Sequence, residues 1–156
     1  MASAEQLLGQ LKAGANMDME VTFLIALLDI DYHIRLGSFS KAFDLIESLA
    51  ERLRQQDADI YQVTQLQTLK AHLFARCGKP ERGFSIALRA ASTAYQAKVL
   101  PVAWDAIGAV SNVLIHLEEF EAARHLLDAI IPQVCILSEQ IFNGLKLLLL
   151  IYFLGC

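Results

Sequence analysis

The sequence predicts an all-α protein, an α-solenoid of antiparallel helix pairs, and three observations predict it. The first is composition: 8 glycines and 3 prolines in 156 residues, with 55% apolar and 19% charged side chains. The long stretches between those breakers are rich in Ala, Leu, Gln, Glu and Arg, which give up little on entering a helix. The second is an internal repeat with a period of about 40 residues. The third is turn chemistry that recurs at the same place in each repeat.

Three segments align without gaps: DYHIRLGSFSKAFDLIESL from Asp31, HLFARCGKPERGFSIALRA from His72 and NVLIHLEEFEAARHLLDAI from Asn112, at offsets of 41 and then 40 residues. Leu36, Cys77 and Leu117 coincide, followed by Phe39, Pro80 and Phe120, then Ala42, Gly83 and Ala123, then Leu45, Ile86 and Leu126. A helix, a tight turn and a second helix folded back on the first explain this order. Gly37 and Gly78 supply the positive φ that ends a helix, and Pro80 suits the first turn of the next one. The small residues Ala42, Gly83 and Ala123 let the second helix approach the first closely. Ala42, Leu45, Ile46, Leu49 and Leu53 form its apolar stripe. Each pair has more than one apolar face, so neighbouring pairs must cover one another.

The expected first helices run over about 17–36, 59–77, 101–117 and 138–154, and the second helices over about 40–55, 80–98 and 120–136. Asp57, Lys98 with Pro101, and Ser138 mark turns or helix starts, and Pro132 is expected to kink the last second helix. At the N-terminus Ala4, Leu7, Leu8 and Leu11 repeat the spacing of Ala42, Leu45, Ile46 and Leu49, as in a second helix without its first. Residues 138–156 have the place of a first helix without its second. The expectation is a single helical-repeat domain over 1–156, with about three full pairs and a half repeat at each end, a fragment of a longer solenoid. Without polar capping helices such a chain is expected to be marginally stable and prone to association.

Composition also excludes functions. A formal charge of −4, with no cluster of five or six Lys or Arg, gives no footprint for a phosphate backbone, so no nucleic acid partner is expected. Cys77, Cys135 and Cys156 are odd in number and far apart, which suggests neither a disulfide framework nor a zinc site and implies reduced, intracellular thiols. The N-terminus lacks the basic and continuous apolar regions of a secretory signal. The terminal LKLLLLIYFLGC is cut by Asn143, Gly144 and Lys146 to about half of the ~20 residues a spanning helix needs, so it reads as a core helix ahead of a membrane anchor. There is no GxGxxG, GxxxxGK[ST], HExxH, GxSxG or CxxC motif, and His33, His72, His116 and His125 are scattered. No enzyme activity, cofactor, metal or small-molecule substrate is expected.

One polar set carries a binding hypothesis. Asp31, His72 and Asn112 share a register on successive first helices, which in helical-pair solenoids line the concave face. A ladder there could contact an extended peptide or a partner's helix, and unchanged affinity in a folded His72→Ala variant would sink the idea. The plainer reading, that these are solvated or inter-repeat hydrogen-bonding positions, is the one the repeat favours, since it aligns any residue type by construction. Trp104, with Val102, Ala103, Ile107 and Val110, reads as core of the third pair. Glu118, Glu119 and Glu121 read as carboxylates at a helix start, where the dipole favours them.

The G-x-F-x-x-A step of Gly37, Phe39 and Ala42 resembles the tetratricopeptide repeat. Residues 78–145 resemble, more closely, the C-terminal repeats of the anaphase-promoting complex subunit 5 family, especially fungal forms. The likeness rests on the second helix around Ala87, Leu88 and Ala90, the Leu100-Pro101 helix start with Trp104, the step at Glu121 and Ala123, and Leu126, Leu127, Ile130 and Pro132. The resemblance implies a non-catalytic scaffold in a multisubunit ubiquitin ligase that drives the cell cycle and mitosis by marking regulators for degradation. Its partners would be the other ligase subunits, in nucleus and cytoplasm. The rival expectations are a tetratricopeptide adaptor holding a peptide in its groove, and a tail-anchored membrane protein, which carbonate extraction would reveal.

Overall fold

A computed structural model describes Gln6, Gly9 and residues 19–132. The expected half repeats at either end, with Ser138 and the terminal apolar run, lie outside the described residues, apart from Gln6 and Gly9, which are helical. Five helices of 17 residues follow one another: α1 Met19–Arg35, α2 Phe39–Gln55, α3 Ile60–Arg76, α4 Pro80–Gln96 and α5 Leu100–His116. A sixth, α6, runs over 120–132. They form an α-solenoid of three antiparallel pairs, α1 with α2, α3 with α4 and α5 with α6. The first helices start at 19, 60 and 100 and the second at 39, 80 and 120, the offsets read from the sequence.

The five turns close in the same way. Ser38 N–H donates to the His33 carbonyl at 2.9 Å and Gly37 N–H to that of Ile34 at 3.2 Å. The same two bonds recur as Lys79 to Phe74 with Gly78 to Ala75, and as Glu119 to Leu114 with Glu118 to Ile115. Between pairs both recur as Val99 to Ala94 with Lys98 to Tyr95, and the longer bond alone as Ala58 to Leu53. This is the Schellman closure, which satisfies the last carbonyls of a helix around one left-handed residue. Gly37 and Gly78, each at φ 74°, hold that position at two turns. Asp57 (φ 51°), Lys98 (φ 61°) and Glu118 (φ 62°) hold it at the others, where a Cβ makes the conformation costly. Glu118 is therefore the turn residue ahead of α6, while Glu121 in its first turn pairs with Arg124 at 2.7 Å. Asp59 caps α3, its carboxylate accepting from Gln62 N–H at 2.8 Å.

Two cores differ in side-chain size. Between α1, α2 and α3 the core is large and branched: Phe23, Leu27, Ile30, Ile34, Ile46, Leu49, Leu53, Leu66 and Leu73, closed by Ala42. Between α3, α4 and α5 it is mostly alanine: Ala71, Ala87, Ala90, Ala91, Ala106 and Ala109, with Val110. Small side chains allow close backbone approach, and Gly83 is its limit. A Cβ placed there would lie 2.7 Å from the Ala71 carbonyl oxygen and 3.3 Å from Ala75 N. Ala42 and Ala123, at the same register, are 0% and 3% exposed. Val102, Ala103 and Val110 are buried as expected, and Trp104 is half-buried with its indole N–H enclosed and unpartnered.

Neighbouring first helices pack together, α1 on α3 and α3 on α5, whereas the Cα atoms of α2 and α4 nowhere approach within 8 Å. A stack whose first helices touch while its second helices splay must curve, with the first helices on the concave side. Among the described residues no helix is long and apolar enough to cross a membrane.

Candidate functional site

The repeat places Asp31, His72 and Asn112 at one level, each four residues before the last residue of α1, α3 and α5. The concave side brings the three together. His72 is half-buried on the middle helix, and the Asn112 side chain stands close enough to act on its imidazole. The Asp31 carboxylate acts on the same imidazole through space while accepting from Arg35 Nε at 2.6 Å. One turn further on, Arg35 and His116 end α1 and α5. The row is a linked set spanning all three pairs.

Its electrostatics favour a neutral imidazole. Burial lowers the His72 pKa from its ordinary value, and the nearby positive charge of His116 and Arg35 pushes the same way. The Asn112 side chain and the Asp31 carboxylate oppose them without prevailing. A neutral His72 imidazole can both donate and accept a hydrogen bond, and Asn112 beside it is exposed.

The single-row reading missed a second rung. Gln65 donates from Nε2 to Asp105 Oδ2 at 3.2 Å, from α3 to α5. Gln65 and Asp105 stand 40 residues apart, like His72 and Asn112, and each lies seven residues before its counterpart. Seven residues are two helical turns, about 10 Å along the axis, on the same face. Partial burial raises the Asp105 carboxyl pKa, and the Gln65 hydrogen bond holds it back. The repeat offset applied to every polar first-helix residue was the signal for this rung. At the level of Gln65 and Asp105, α1 carries Leu24, and Leu28 stands one turn later; both are exposed, at 42% and 54%. The concave face therefore passes from apolar on α1 to polar on α3 and α5.

These side chains can form hydrogen bonds and ion pairs and cover apolar surface. Among the described residues no group of three or more His, Cys, Asp or Glu could hold a metal ion. Burial pushes the Cys77 thiol pKa up, with Lys79 opposing, which disfavours the thiolate a nucleophile needs. Asp29 and His33 form a separate pair at 3.7 Å on α1. No protein-family model, no curated protein and no solved structure matches the chain.

Proposed function

We propose that the chain is a non-catalytic scaffold that works through protein-protein contacts, as a subunit of the anaphase-promoting complex ubiquitin ligase in cell-cycle control. The observation that carries the scaffold reading is the phase-locked stack itself. Three pairs joined by one repeated turn present a fixed, curved surface on which contacts can be spread over a wide area. The resemblance of residues 78–145 to subunit 5 of that complex supports the finer assignment, and with it a location in nucleus and cytoplasm. Its partners are the other ligase subunits, with no nucleic acid, membrane or small molecule required.

Affinity purification of the tagged full chain from dividing cells, with mass spectrometry, tests this. Several ligase subunits should be recovered together; their absence from a folded, expressed bait would end the assignment. A second reading, a peptide held in the concave groove, is favoured by the convergence of Asp31, His72 and Asn112. In that reading the His72 imidazole and the exposed Asn112 face the ligand, and the His72→Ala affinity measurement decides it.

A further inference from the structure

A cavity of about 410 Å³ opens along α4, lined by Phe74 of α3 and by Glu81, Arg82, Ser85, Ile86 and Arg89. The Phe74 ring of α3 that floors it meets Phe43 of α2 edge-on, with centroids 5.2 Å apart. Arg82, Ser85, Ile86 and Arg89 stand at i, i+3, i+4 and i+7 and share one face of α4. Both arginines are exposed, and among the described residues neither is held by a carboxylate, whereas Arg35, Arg54, Lys70 and Arg124 each are. The Ser85 hydroxyl turns back to the Glu81 carbonyl at 3.2 Å, away from any guanidinium.

The register shows that this lip belongs to the middle pair. The counterparts of Arg82 and Arg89 are Lys41 and Ser48 on α2 and Ala122 and Ala129 on α6. Two guanidiniums against the single carboxylate of Glu81 make the lip cationic in a chain of formal charge −4. On the α2 side Glu47 is held by Lys70 at 2.8 Å, and that pair is closed on itself.

We propose that this cavity receives an acidic helical segment of a partner protein, with one apolar side chain over Phe74 and Ile86 and two carboxylates on Arg82 and Arg89. Guanidinium forks match carboxylates in geometry as well as charge. The two arginines lie about 10 Å apart along α4, the rise between residues i and i+7 of a partner helix. An apolar side chain between them falls over the aromatic floor, where burial contributes affinity and the charges fix the register. The inference rests on the scaffold reading and names one kind of partner for it.

The probe is a labelled helix-forming peptide of roughly 15 residues, with Glu at two positions seven apart and Leu midway, titrated with the full chain by fluorescence anisotropy. It should bind about tenfold tighter than the same peptide with Lys for Glu, and an Arg82→Glu, Arg89→Glu double variant should reverse that preference. Ala for Leu in the peptide, which leaves the protein untouched, should weaken binding about tenfold. No binding of the Glu peptide, equal binding of the Glu and Lys peptides, or indifference to the Leu change would each overturn the inference. Should the peptide fail while the tagged chain still recovers ligase subunits, the inference falls and the function stands. Should the peptide bind without those subunits, the assignment to the ligase falls and the site stands.

Discussion

His72 shows what a single side chain contributes here. Its folded pKa lies below the unfolded value because burial disfavours the imidazolium. The unfolded chain therefore binds a proton at a higher pH than the folded one, and stability falls as pH drops below about 6.5. The stability is present above that pH and is lost on acidification. Melting temperatures recorded from pH 7.5 to 5.5 should fall less steeply in a His72→Gln variant than in the unaltered chain; parallel curves would mean that His72 is not held neutral. Convergence of Asp31, His72 and Asn112 was legible in the sequence because one register fixes all three. The burial that lowers the His72 pKa was not, since it depends on how closely α1 and α5 pack against α3, which is set by side-chain sizes elsewhere.

At the scale of elements, the close approach of α4 to α3 depends on Gly83. A Cβ there meets backbone atoms at 2.7 and 3.3 Å, and backbone cannot swing aside as a long side chain can. Gly83→Ala should lower stability by about 1–3 kcal/mol, the usual cost of overpacking, read by urea denaturation; an unchanged midpoint would show that the helices can part freely. The bounds of α1 to α5 and the start of α6 were legible to within a few residues because the 41- and 40-residue offsets repeat the boundaries. Gly37 and Gly78 announced their turns. Glu118 did not announce its left-handed backbone, because it is the closure shared by all five turns, and not the local residue type, that imposes φ 62° there. The alanine seam was equally hidden: Ala87, Ala90, Ala91, Ala106 and Ala109 read as good helix formers before they read as a packing surface.

For the whole molecule, stacking in one direction means that each pair is supported mainly by its neighbours. Leu73 is 0% exposed and belongs to the core that joins the first pair to α3. Leu73→Ala should cost about 2–5 kcal/mol. Hydrogen exchange should quicken in α1 to α4 before it does in α5, the gradient expected of a stack and not of a single globular core. Uniform quickening would contradict the one-dimensional picture.

The splay of α2 and α4 has a mechanical consequence. With the inner row in contact and the outer row parted, the inner row is a fulcrum whose length is fixed, while the outer row can lengthen or shorten. A load that straightens the stack narrows the outer gap, and one that bends it further widens the same gap. Whatever draws α2 and α4 together or parts them would set the bend of the array and, through it, the distance between any two partners mounted along it.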